Sequence, residues 1–118
     1  MEKNYEKDFI DEKPVKVDIN GREFKLRLML GVEFDKASSD FITIRSDESA
    51  KVDVAKRNSI FLKKCVVDAP YKKDGKAFAD LTEDERLELM DKLKPGIRNA
   101  LLKKVHGLHE LDSDVEKN

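Results

Sequence analysis

The chain has 118 residues, one domain's worth of polypeptide, since two separate cores at this length would each be too small. Charged residues make up 42% and apolar residues 39%, and Lys+Arg 24 against Asp+Glu 25 leaves a net charge of -1, without the positive excess expected of a general binder of nucleic acid or anionic membrane. No apolar run reaches the length of a membrane-spanning helix, the N-terminal residues lack a signal-peptide core, and the single cysteine, Cys65, excludes an internal disulfide framework, so a small domain in the reducing cytoplasm is the expectation.

Residues 1–13 hold five acids and three lysines around Tyr5, Phe9 and Ile10, a density that predicts a mobile arm. Over 14–30 the signal sharpens. Val15, Val17 and Ile19 alternate with Lys16 and Asp18, and after Asn20-Gly21 the alternation resumes at Phe24, Leu26, Leu28 and Leu30. Period-2 alternation on both sides of Asn-Gly predicts a β-hairpin closed by a type I′ turn, whose two central residues need positive φ. From Gly31 the period lengthens: Phe34, Ala37, Ser38 and Phe41 fall on one helical face, although Phe41-Ile42-Thr43-Ile44 also suits an extended start. Residues 45–51 are polar and read as a loop.

Residues 52–67 read as a central buried helix, with Val54, Phe61 and Cys65 on one face and the Lys63 and Lys64 stems reaching outward. Pro70 stops it, and a short buried strand over 60–67 is the alternative. Residues 68–80 read as a loop with the Asp74-Gly75 turn pair, anchored by Phe78. Thr82-Glu83-Asp84-Glu85 then spells a capping box, with Leu89, Met90 and Leu93 behind it and Lys92 and Lys94 complementing the helix dipole. Pro95 suits the first turn of a last helix carrying Ile97, Ala100, Leu101 and Val105, with Gly107 as its stop. The organisation is thus a 1–13 arm, one globular domain over 14–107 and a 108–118 acidic tail; the fold class is α+β, an N-terminal hairpin packed on about four helices.

Chemistry-bearing motifs are sparse. His106 and His109 lie near Glu110 and Asp112, but with Gly107 between them at the expected helix end they read as a helix-terminal and a tail histidine rather than as metal ligands. Cys65 sits in an apolar run, where a thiol behaves as a small hydrophobe. Phosphate-cradling glycine motifs, a nucleophile elbow and the zinc-protease helix motif do not occur, so the expectation is no catalytic residue, no cofactor and no metal. Residues 92–106 carry five basic residues and no acid (Lys92, Lys94, Arg98, Lys103 and Lys104), which reads as dipole complement and solvated surface before it reads as a nucleic-acid patch. The leucine surplus of the last two helices points to a partner face made of Leu89, Leu93, Ile97 and Leu101, for a helical protein or a second copy of the chain.

The hairpin VKVDINGREFKLRLM, the short helix after it, the segment IFLKKCVVDAP and the acid-led helix LTEDERLELMDKL, in that order over roughly 14–105, resemble the small tail-assembly proteins of long-tailed and contractile-tailed bacteriophages, a group of tail assembly chaperones and small baseplate-hub factors. The resemblance implies a non-enzymatic factor in the host cytoplasm that binds a tape-measure or other tail protein and keeps it soluble during assembly. Two other readings stand beside it: a baseplate or tail subunit retained in the particle, and a small nucleic-acid-binding regulator using 92–104.

Overall fold

The computed structural model describes residues 13–109. Strands β1 (Val15–Ile19) and β2 (Arg22–Leu26) lead into α1 (Gly31–Phe41), a second hairpin of β3 (Ile42–Ile44) and β4 (Ala50–Val52), then α2 (Val54–Cys65) and β5 (Val66–Asp68). A two-residue-stranded hairpin follows, β6 (Lys72–Lys73) and β7 (Lys76–Ala77), then a 3-10 turn over Phe78–Asp80, α3 (Glu83–Asp91) and α4 (Pro95–Leu108). The class is α+β, with the N-terminal hairpin and the helices in the expected order. The N-terminal arm other than Lys13, and residues 110–118 of the acidic tail, lie outside the described residues.

Asn20 and Gly21 make the first turn at φ 51 and 83, the left-handed pair that type I′ geometry demands. The register sets Val17 opposite Phe24 and Val15 opposite Leu26, so Val17, Ile19, Phe24 and Leu26 share one face. The sheet is three-stranded, with β2 in the middle and β5 antiparallel on its far edge. Phe24 and Leu26 are fully buried. The expected alternation through Leu28 and Leu30 does not hold. The ladder is irregular at Lys25 and Leu26, and the Arg27 N–H turns to the Cys65 carbonyl at 2.8 Å. The chain then leaves the sheet, which sends Met29 inward and leaves Leu30 exposed. The Arg27 guanidinium forms a two-pronged pair with Glu33 (2.9 and 2.7 Å), tying this exit to the first turn of α1.

α2 is the hub and touches α1, α3 and α4. Asp53 caps it by accepting the Lys56 N–H at 3.1 Å, so the helix begins at Val54, and Val52 belongs to β4. Phe61, Leu62 and Cys65 are buried, whereas Val54, expected on the same face, lies at the first position of the helix, well before Phe61, and is exposed. Helix and strand both occur in 60–67: α2 ends at Cys65 and Val66 enters β5 with no loop between. Lys63 and Lys64 do reach outward, to Asp84 and Glu83 at the start of α3 (2.8 and 3.3 Å).

Two stretches expected as loops carry strands. Ala50 and Lys51 pair with Ile44 and Thr43, and Lys72 and Lys73 pair with Ala77 and Lys76 around Asp74-Gly75. Phe78 is fully buried, as expected of an anchor, and Arg86 holds its place by donating to the Phe78 and Ala79 carbonyls (3.1 and 2.6 Å). The capping box at Thr82 and Glu85 is complete. Two helix-end expectations change: Lys94 is the N-cap of α4 rather than part of the last turn of α3, and Gly107 lies inside α4, which runs to Leu108. The 107/108 boundary between domain and tail therefore falls within a helix.

Candidate functional site

The partner face expected from the sequence is not a single stripe. Leu101 is fully buried and belongs to the core together with Leu102 and Val105. Leu89, Leu93 and Ile97 are half-buried and packed against that core. The i, i+4 spacing from Leu89 to Leu101 does not survive the break between α3 and α4, where the backbone becomes extended at Lys94. Leu93 does border a shallow depression with Val54, Ala55 and Pro95.

Exposed apolar side chains gather elsewhere. Ile44 is 67% exposed, Val54 52% and Val52 42%, all on the second hairpin and the α2 start that follows it. Ile42, Ile44, Ala50 and Val52 share one face of that hairpin by register, and of these Ile42 packs on the core. Sequence reading missed this face because the segment is short and its turn is built from polar residues, with Glu48 at φ 67 in the left-handed position.

Beside the hairpin lies an open groove of about 570 Å³. Its walls are Phe34 and Phe41 of α1, Val52 of β4 and Phe61 of α2, with His106 and His109 at the α4 end. Phe61 is the centre of this aromatic cluster. Its ring lies 6.0 Å from Phe34 and 6.2 Å from Phe41, and 4.6 and 5.1 Å from the imidazoles of His106 and His109. α4 continues past Gly107 to Leu108, so His106 lies in its last turn and His109 caps it just beyond, the helix-terminal and tail histidines expected from the sequence, and both rings meet Phe61.

Each imidazole has a structural role. His109 Nε2 lies 3.0 Å from the Met29 N–H, and its Nδ1 lies 2.9 Å from the Val105 carbonyl. A backbone N–H only donates, so Nε2 accepts and Nδ1 carries the hydrogen it gives to Val105. His106 Nε2 lies 3.3 Å from Asn58 Oδ1. Among the described residues no group of three or more His, Cys, Asp or Glu is placed to hold a metal ion. Cys65 is fully buried, and its thiol is pushed up to about 12 by burial, which suits packing and not nucleophilic attack.

Among the described residues the groove holds one permanent cation. Arg57, on the second turn of α2, is half-buried on its wall. Its Nε is buried without a hydrogen-bond partner, and among the described residues no carboxylate pairs with its guanidinium. No acidic side chain lines the groove among those residues. The basic stretch 92–104 differs. Arg98 pairs with Asp91 at 3.2 Å and Lys92 with Glu88 at 3.4 Å, so part of its charge is neutralised locally. No family model, curated protein or solved structure matches this chain.

What the groove can do follows from its lining. Aromatic walls and one unpaired guanidinium can seat an apolar side chain and orient a carboxylate beside it.

Proposed function

We propose that the protein is a non-enzymatic factor that binds another protein, and that its setting is phage tail assembly, where it holds a tape-measure or other tail component soluble in the host cytoplasm. The observation that carries the binding reading is the exposed apolar strip of Ile44, Val52 and Val54 next to an aromatic groove. Exposed apolar side chains gathered beside an open groove mark contact with other macromolecules. The tail-assembly setting rests on the resemblance of the hairpin and the helical segments to that group. The groove replaces the α3–α4 leucines as the preferred contact, because Leu101 is inaccessible.

The test is co-expression with a phage tape-measure protein, followed by affinity capture at low and high salt. A complex that persists at high salt is expected for apolar contacts. A complex that dissolves as salt rises would move the interface to Lys94, Lys103 and Lys104, and no complex at either salt would reject tail assembly. Retention in purified particles would make the protein a structural subunit instead.

A further inference from the structure

We infer that the groove between α1, the second hairpin and α2 is the docking site for an amphipathic helical segment of a partner protein, with an acidic residue beside its apolar face, and that Arg57 is the residue that selects it. This deepens the protein-binding reading and rests on it. Charge complementarity carries the assignment. The groove is apolar and aromatic on most of its wall, yet it holds a guanidinium with no carboxylate partner among the described residues. Several other cations face carboxylates, Arg27 with Glu33, Lys63 with Asp84, Lys73 with Glu88 and Arg98 with Asp91, and half-buried Arg86 is held by the Phe78 and Ala79 carbonyls. The buried Arg57 Nε has no acceptor, and a carboxylate brought in by a ligand would supply one to a guanidinium already placed on the groove wall. The groove is open and walled by side chains, so it suits the knobs of a helix. Ile44 shares a hairpin face with Val52 of the groove wall and adds exposed apolar surface to that hairpin.

The test uses the full chain and two synthetic amphipathic helical peptides. Both carry Leu at i, i+3, i+4 and i+7; one has Glu flanking the leucines and the other Lys. Affinities are read by fluorescence anisotropy, and the binding site by amide shift changes on the labelled protein. The Glu peptide is expected to bind about tenfold or more tightly than the Lys peptide, the scale of one charge-assisted contact. Arg57→Gln should erase that difference, Arg57→Lys should restore part of it, and Ser38→Trp, which fills the groove from α1, should block both peptides while the helical circular dichroism is unchanged. Equal affinity for the two peptides, shifts confined to α3 and α4, or no saturable binding by any variant would overturn the inference.

Two rival occupants are separated in the same experiment. If binding appears only when Glu110, Asp112, Asp114 and Glu116 are replaced by their amides, the groove takes the chain's own tail and the partner assignment fails. If light scattering shows a dimer that Ser38→Trp dissociates, it takes a second copy, and the assignment fails again. Failure of the parent reading looks different: the peptides discriminate as expected while the tail protein is not captured on co-expression. Capture of the tail protein with no loss in Arg57→Gln or Ser38→Trp rejects the groove and leaves the parent reading standing.

Discussion

The β1–β2 and β3–β4 hairpins are built by the same device, two antiparallel strands joined by a turn with left-handed backbone, and they end in opposite surroundings. The first places Phe24 and Leu26 at zero exposure, gains β5 as a third strand and lies against α4. The second has the same kind of apolar face, but Ile44 and Val52 remain open to solvent and no third strand joins it among the described residues. Alternation therefore tells which residues share a face, while the cover for that face comes from distant chain. The first hairpin is a structural element, and the second is a surface.

The largest expected contrast is in the core. Phe24→Ala should cost about 3–5 kcal/mol in chemical denaturation, because it removes a fully buried ring and leaves a cavity. A cost below about 1 kcal/mol would mean that the first hairpin is no better covered than the second. The turns give the next contrast. Gly21→Val should cost at least about 1 kcal/mol through backbone strain alone, since a Cβ there meets nothing within 4 Å. Glu48→Gly in the other hairpin relieves a left-handed non-glycine residue and should raise the melting temperature slightly, with less than about 1 kcal/mol gained because glycine also loosens the unfolded chain.

The tie between the first hairpin and α1 should show itself in acid. The hydrogen bonds from Arg27 hold the Glu33 carboxyl below its ordinary 4.5, so the pair stabilises the fold above that pH and loses its effect as pH falls through the lower folded value. The melting-temperature gap between the natural chain and Glu33→Gln should be widest near neutrality and close in acid; for a pair about one-third exposed the gap corresponds to roughly 1 kcal/mol or less. A gap independent of pH would assign the effect to packing. The smallest effect is expected at Ile44→Ser, within about 0.5 kcal/mol by thermal melting, because the side chain has little to lose on folding. A larger cost would show that the second hairpin is covered after all.

Much of the fold was legible because its signals are local. Asn20-Gly21 sets its own turn, Thr82 and Glu85 satisfy each other across one helical turn, and Phe78 is the one large apolar side chain between Tyr71 and Leu81. What escaped was decided at a distance. Leu30 continues the alternation in sequence, yet β2 ends at Leu26, where its pairing with β5 is irregular and the bond from the Arg27 N–H to the Cys65 carbonyl is the last contact across the sheet. Gly107 looks like a stop, but α4 runs on through it to Leu108, and His109 just beyond is held by Met29. The groove is assembled from residues as far apart as Phe34 and His109, with no spacing rule to join them. Arg57 was one basic residue among many until its lack of a partner could be seen.

The hydrogen bond from the Met29 N–H to His109 joins positions 80 apart in sequence, and it has a consequence for the order of folding. On the ribosome, residues 15–29 emerge long before α4 exists, so the first hairpin has no α4 to rest against and Met29 has no acceptor in His109 until the last helix is made. Contacts of such separation slow folding and prolong the time during which apolar strand surface stays uncovered. The nascent chain therefore passes through a stage with its first hairpin uncovered, and an early translational arrest within α4 should yield a chain that aggregates, while release past His109 yields one that does not.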